Sequence, residues 1–118
     1  IEGLAEYYGL EILRRSRTIT ARRFRAAIDG LDDWGSNSSG LCSGESTAAT
    51  TARAVALFAE LHAELRAKRS RPDPLDELLR RLVAGGEDVT LAALRRHARE
   101  IHGELPDTLR ARKLPGCE

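Results

Sequence analysis

Apolar residues recur at every third or fourth position in five separate stretches of the chain. This spacing is typical of one face of an α-helix, and no stretch alternates with the period of two that a half-buried strand requires. The pattern therefore predicts an all-α protein of about five helices. The helices are expected over residues 2–15, 21 to about 31, 48–69, 74–84 and 91 to about 103, followed by a short helical turn over 106–113.

The apolar positions also predict which side of each helix is buried. In the first helix, Leu4, Tyr8 and Ile12 follow one another at intervals of four, so they are expected to share the buried face. Leu10 and Leu13 lie alongside them. The fourth helix carries the most regular apolar stripe of the chain. Its members are Leu75, Leu78, Leu79, Leu82 and Val83.

Polar and conformationally special residues mark the helix ends. Thr20 and Thr90 are expected to cap the second and fifth helices, and Asp73 with Pro74 is expected to start the fourth. From Trp34 onward the composition shifts to Gly, Ser and Asn, which predicts a flexible loop over 35–47. The predicted organisation is a helix–loop–helix over 1–34, this loop, and a helical hairpin with a second helix–loop–helix over 48–118, all in one compact domain.

Composition limits the classes of protein that the chain can represent. It has 118 residues, 42% of them apolar, and 19 Lys and Arg residues against 18 Asp and Glu give a net charge of +1. Bulk coating of nucleic acid is therefore not expected, and no apolar stretch approaches the roughly 20 residues of a membrane-spanning helix. Cys42 and Cys117 are too few for a disulfide framework, so both are interpreted as free thiols in a reducing, intracellular compartment.

A short pattern recurs after 70 residues. In each copy a β-branched apolar residue precedes a Thr that can cap the following helix: Ile19 with Thr20, and Val89 with Thr90. Each copy is therefore a helix, a short connector and a second helix. Later positions correspond as well, namely Phe24 with Leu94, Arg25 with Arg95, Ile28 with Ala98, and Leu31 with Ile101.

This duplicated helix–loop–helix pattern resembles the EF-hand family, in particular calmodulin-like proteins. Residues 18–20 and 88–90 resemble the short β-bridge that joins two hands in that family, and 89–96 with 103–107 is the closest local match. Calcium requires six to eight oxygen ligands, including a bidentate Glu at the last loop position. That position would be Arg23 in one copy and Ala93 in the other. The resemblance thus implies EF-hand architecture without calcium, and no metal or other cofactor is expected.

The residues that commonly carry catalysis are not arranged for it. His97 and His102 are five residues apart, so they do not share a helix face as an i, i+4 zinc pair would. His62 lies beside an apolar stripe and is interpreted as a boundary or surface residue, and Cys42 has no recognisable partner base. The sequence therefore predicts that the protein is not an enzyme.

The predicted function is protein–protein interaction, as a scaffold subunit of a larger assembly. An apolar groove, or the chain's own amphipathic faces, would receive an amphipathic helix of a partner protein. The same side chains could instead form only the core. The predicted contact residues are Phe58, Leu61, Leu65, Leu78, Leu79, Leu82 and Trp34, with Leu94 and Ile101 as core or groove floor.

Nucleic-acid binding is the alternative, as a helix-turn-helix-like protein or a ribonucleoprotein component, because basic residues cluster between Glu11 and Asp29 and again over 66–71. Residues 75–84, a Gly-containing turn and 90–102 could also form a helix-turn-helix with Arg95, Arg96 and Arg99 on the outer face of its recognition helix. A plain solvated surface remains the other interpretation. The candidates for phosphate contact are Arg14, Arg15, Arg17, Arg22, Arg23, Arg66 and Arg69.

Overall fold

A computed structural model describes residues 2–36, 41–42, 47–69, 72–86, 88–114 and 117 of the chain. The described residues form α-helices and two short 3₁₀ turns and contain no strand, so the all-α prediction is confirmed. The five α-helices are α1 (Glu2–Arg15), α2 (Ala21–Gly35), α3 (Ala48–Lys68), α4 (Pro74–Ala84) and α5 (Leu91–His102), and the 3₁₀ turns cover Asp107–Leu109 and Ala111–Lys113.

The predicted caps begin their helices as expected. The hydroxyls of Thr20 and Thr90 accept the backbone N–H groups of Arg23 and Ala93, each at 3.1 Å. Asp73 accepts the N–H of Leu75 at 2.9 Å. Each contact satisfies a backbone donor that the first turn of a helix otherwise leaves unpaired. The two copies of the repeat therefore share the same capping geometry, although neither 18–20 nor 88–90 is a strand.

The second helix is longer than predicted. It continues through Trp34 to Gly35, because Ser36 caps its end: the Ser36 N–H bonds to the carbonyls of Asp32 and Asp33, and the Ser36 hydroxyl donates to the Asp33 carbonyl at 2.6 Å. Of the predicted loop over 35–47, residues 37–40 and 43–46 lie outside the described part of the chain.

The chain divides into two compact units. Unit 1 comprises residues 1–59 and 114–118, and unit 2 comprises residues 60–113. The division falls within α3, so its first part belongs to unit 1 and its last turns to unit 2. The predicted one-domain organisation stays a prediction.

Glycines set the packing of unit 1. A Cβ added to Gly3 of α1 would overlap the Ala54 Cβ of α3, and one added to Gly35 of α2 would lie 2.6 Å from the Arg53 Cα. Both helices therefore approach α3 at positions where no side chain fits. The α1 and α2 helices also contact each other through Tyr7 and Phe24, whose rings lie edge to face with centroids 6.2 Å apart.

In unit 2, α4 packs against α5. Arg81 of α4 donates to Glu100 of α5 at 2.6 Å and to Glu77 at 3.3 Å. Within the predicted α4 stripe, Leu79 is only half-buried and Val83 is 79% exposed, so the stripe is narrower than predicted. The buried apolar residues of the unit are Leu61, Leu65, Leu75, Leu78, Leu82, Ala93, Leu94, Ala98 and Leu109.

Glu64 of α3 holds the turn over Asp107–Leu109. Its carboxylate accepts the N–H of Asp107 at 2.6 Å, the N–H of Thr108 at 2.9 Å and the Thr108 hydroxyl at 2.6 Å. Burial by itself would raise the pKa of Glu64, but the hydrogen bonds from Thr108 and Asp107 outweigh it and hold the pKa below its usual value. The folded state thus favours the charged form.

Cys42 and Cys117 form a disulfide, so the interpretation of both as free thiols is wrong. Both residues belong to unit 1, and Cys117 is buried. The two sulfurs meet across a separation of 75 residues, which no spacing motif in the sequence signals. The expectation of a reducing compartment rested on free thiols and has no support in the structure.

None of the described helices combines the length and the apolar character needed to cross a bilayer.

Substituting Glu64→Gln should lower the free energy of unfolding at pH 7 by about 1 kcal/mol, because the three hydrogen bonds lose their charged acceptor. The folded pKa of Glu64 lies below its unfolded value. Its contribution is therefore complete above the unfolded pKa, roughly 4.3, and is lost as the pH falls through the folded value. The free energy of unfolding, measured with urea, should therefore decline less steeply from neutral to acidic pH in E64Q than in the wild type.

Glu60→Gln is the matched control, since Glu60 lies on the same helix, is 58% exposed and faces Lys113 at 3.6 Å. Parallel acid profiles for E64Q and the wild type would contradict the assignment.

Reducing the Cys42–Cys117 bond should lower the free energy of unfolding by about 4 kcal/mol, because a closed loop of this length restricts the unfolded chain. Denaturant unfolding with and without a dithiol reductant measures the difference. The double variant Cys42→Ser/Cys117→Ser should have the stability of the reduced wild type, and the reductant should not change it. Identical curves for the wild type in both conditions would refute the expectation.

Candidate functional site

The two sides of α1 are not those that its apolar pattern predicted. Gly3, Leu4, Tyr7 and Glu11 are buried, whereas Ile12 is 56% exposed and Leu13 is 39% exposed. Of the predicted stripe of Leu4, Tyr8 and Ile12, only Leu4 is buried and Ile12 is exposed, so the stripe does not follow the buried side. Tyr8 is half-buried. The exposed side, here called the α1 outer face, consists of Ala5, Glu6, Gly9, Ile12 and Leu13.

A charged residue occupies the buried side of α1. The side chain of Glu11 is 1% exposed, and its carboxylate accepts Arg14 Nε at 2.5 Å, Arg14 Nη2 at 3.1 Å and Arg15 Nε at 3.2 Å. The hydrogen bond to Glu11 raises the pKa of Arg14. A buried carboxylate needs such partners, because an uncompensated charge in the interior is strongly destabilising. With Glu11 inside, Ile12 and Leu13 are turned outward.

The C-terminus of α1 holds a strained residue next to the α1 outer face. The Thr18 N–H bonds to the Leu13 carbonyl at 2.9 Å and the Arg17 N–H bonds to the Arg14 carbonyl at 3.1 Å, which together form a Schellman motif. Arg17 occupies its left-handed position with φ of 61°, the one non-glycine residue with positive φ in the described ranges. Glycine is preferred there, and a side chain costs about 1 kcal/mol.

The structure places most of the predicted groove residues in the interior. Phe58 is buried in unit 1, and four leucines are buried in unit 2. These five side chains act as core in this structure and are not available to a partner. Of the seven predicted contact residues, Leu79 is half-buried and Trp34 is 50% exposed; the four buried leucines are Leu61, Leu65, Leu78 and Leu82. Of the proposed groove floor, Leu94 is buried and Ile101 is half-buried.

The predicted phosphate-contacting arginines fall into two groups. Three of them are engaged within the chain: Arg14 and Arg15 with Glu11, and Arg69 with Glu77. The other four are exposed and form no ion pair within the described part of the chain. These are Arg17, Arg22, Arg23 and Arg66.

The charges of α2 run against its helix dipole. Arg22 and Arg23 lie in the first turn, where the helix end is already positive, and Asp32 and Asp33 lie in the last turn, where it is negative. Each such charge at an exposed helix end is unfavourable by about 0.3–1 kcal/mol. The order of charges on α2 therefore destabilises the isolated helix.

One of the three arginines that the helix-turn-helix alternative would use to contact DNA bases is engaged within the chain. Arg95 Nε donates to the backbone carbonyl of Leu109 at 2.9 Å, so this guanidinium is committed within unit 2. Arg96 and Arg99 are exposed on α5 as predicted. The alternative stays a prediction with two of its three arginines on the surface.

His62 is not a boundary or surface residue. Its side chain is 1% exposed, and its Nε2 lies 3.1 Å from each carboxylate oxygen of Asp73. Asp73 also caps α4, so His62 helps to position the residue that begins this helix. The pairing could not be read from the sequence, because the two residues are eleven positions apart and Pro72 lies between them.

Arg17→Gly should raise the free energy of unfolding by about 0.5–1 kcal/mol, because glycine adopts the left-handed conformation without strain. Arg17→Ala is the matched control: it removes the charge but keeps the strain, so its stability should stay near that of the wild type. Thermal or urea unfolding measures both. Equal stabilisation by R17A and R17G would show that charge repulsion, and not the backbone, is relieved.

The candidate interaction surface thus consists of the α1 outer face and the adjoining Arg17, with the buried Glu11 behind them. Each feature follows from the geometry of this chain alone. A scan of protein-family models and searches of curated proteins and of solved structures found no match.

Proposed function

We propose that the protein is a non-catalytic interaction module whose α1 outer face receives an acidic amphipathic helix of a partner protein. The observation that carries the proposal is the exposure of Ile12 at 56% and Leu13 at 39%, four residues before Arg17, a cation that forms no ion pair among the described residues. Exposed apolar side chains bordered by arginine are typical of binding surfaces.

The chemistry of the partner follows from this border. Ile12 and Leu13 would pack against an apolar stripe on the partner helix, whereas a phosphate backbone offers them no favourable contact. Arg17 is exposed, forms no ion pair within the described ranges and is retained at a strained backbone position. Strain of this kind is commonly kept where a residue has a functional role. A carboxylate on the partner helix would be its counter-charge.

The scaffold is an EF-hand-like one in this proposal, and it works without calcium. The two Thr-capped repeats support the likeness. At the position of the family's bidentate Glu, Arg23 is an exposed cation and Ala93 is buried. Neither side chain can supply an oxygen to Ca²⁺.

Nucleic-acid binding is the second candidate, and the four exposed arginines that form no ion pair in the described part of the chain favour it. Asp29, Asp32 and Asp33 are exposed on the same helix as Arg22 and Arg23 and would repel a phosphate backbone. The balance therefore favours a protein partner.

The proposal predicts that the full chain binds a synthetic amphipathic peptide with a leucine face and glutamate borders, measured by fluorescence anisotropy. The double variant Ile12→Ser/Leu13→Ser should weaken this binding at least tenfold, because the apolar contact is lost. Val83→Ser is the control, since Val83 is 79% exposed but lies on α4. Surface changes of this kind leave stability within about 0.5 kcal/mol.

Two further probes separate the candidates. A peptide with lysine in place of glutamate should bind more weakly, and R17A should reduce the preference between the two peptides. A duplex oligonucleotide should bind poorly. The proposal would be overturned in favour of the second candidate by two results together. The affinity for the oligonucleotide would fall steeply with salt, and the Ile12 and Leu13 substitutions would leave it unchanged.

A further inference from the structure

The exposed side of α2 carries opposite charges at its two ends. Arg22, Ala26, Asp29 and Asp33 follow one another at spacings of four, three and four, so they lie along one line of the helix. All four are exposed. Arg23 and Arg25 border this line near its start, and Asp32 borders it near its end, where Trp34 is 50% exposed.

These charges are largely unsatisfied within the chain. Among the described residues, Arg22, Arg23, Asp32 and Asp33 form no ion pair. Arg25 lies 4.0 Å from Asp29, with side chains 62% and 69% exposed, and such a pair at the surface is weak. The charges also oppose the helix dipole, so a structure that places a negative group at the start of α2 and a positive group at its end would relieve both ends.

We infer that α2 pairs antiparallel with α2 of a second copy of the chain. A two-fold axis near the middle of the helix sets the first turn of each α2 against the last turn of the other. Arg22 then faces Asp33 of the second copy, and Arg25 faces Asp32 of the second copy. When one α2 is reversed, its acidic end faces the basic start of the other, so the helix is complementary to a second copy of itself. An isologous interface requires such self-complementarity.

The uncharged residues of this face fit the same arrangement. Ala26 and Gly30 are exposed near the middle of the helix, and the space around Gly30 is open, so two helices can approach closely there. At the edge of the face, Arg23 comes opposite Trp34 of the second copy. A guanidinium over an indole ring is a favourable contact, and Trp is a frequent anchor of interfaces.

The inferred dimer goes beyond the proposed function and uses a different helix. A parallel pairing would set Arg22 against Arg22, so the charges allow one direction only. The helix has 15 residues and is therefore about 22 Å long. An interface of this length is at the small end of specific interfaces, so we expect a weak dimer with a dissociation constant on the order of micromolar to tens of micromolar.

The test is sedimentation of the full oxidised chain from about 1 µM to about 1 mM, a range that brackets the expected dissociation constant. The wild type should shift from monomer to dimer. The variants R22D/R25D and D32R/D33R should each remain monomeric, because each places like charges together in both facing pairs. Mixed in equal amounts, they should form a heterodimer, since every facing pair is then opposite in charge.

R66D/R80D is the control for R22D/R25D, because both variants change the net charge by the same amount. Arg66 and Arg80 lie outside α2 and are exposed cations without ion pairs among the described residues. The control variant should dimerise like the wild type. Circular dichroism of each variant confirms that it is folded. A monomeric wild type at the highest concentration, or a mixture that stays monomeric, would overturn the inference.

Discussion

The burial of Glu11 determines how α1 presents its residues. A carboxylate with 1% exposure can be tolerated because Arg14 and Arg15 reach it from the following turn of the same helix. The helix is thereby fixed about its axis, with Gly3 against Ala54 on the buried side. Ile12 and Leu13 then have no place in the interior. The apolar surface of α1 is a consequence of an ion pair on its opposite side.

Local features of the fold could be predicted from the sequence. Thr20, Asp73 and Thr90 begin helices because the capping interaction involves only the next two or three residues. The all-α class followed in the same way from the spacing of apolar residues. The end of α2 could not be predicted, because a glycine followed by Ser and Asn usually ends a helix, whereas Gly35 lies within α2 and allows its close contact with Arg53. Nothing near Gly35 in the sequence indicates that contact.

The faces of the helices were harder to predict, since they depend on residues far away in the chain. Counting apolar positions favoured Leu4, Tyr8 and Ile12, but the pairing of Glu11 with Arg14 and Arg15 selected a different side. The spacing of these three residues was a usable signal, because an acid followed by arginines three and four positions later forms ion pairs on a helix. The disulfide left no such signal, because its cysteines are 75 residues apart.

The Cys42–Cys117 bond also changes what proteolysis can reveal. It closes a covalent ring that contains α3, α4 and α5 and leaves the first two helices as an arm outside it. A single cut inside the ring opens it without detaching any piece, so cleavage of unit 2 is invisible on a gel run without reductant. A cut in the arm, by contrast, releases a fragment under either condition. Comparing the two gels therefore assigns each nick to the arm or to the ring.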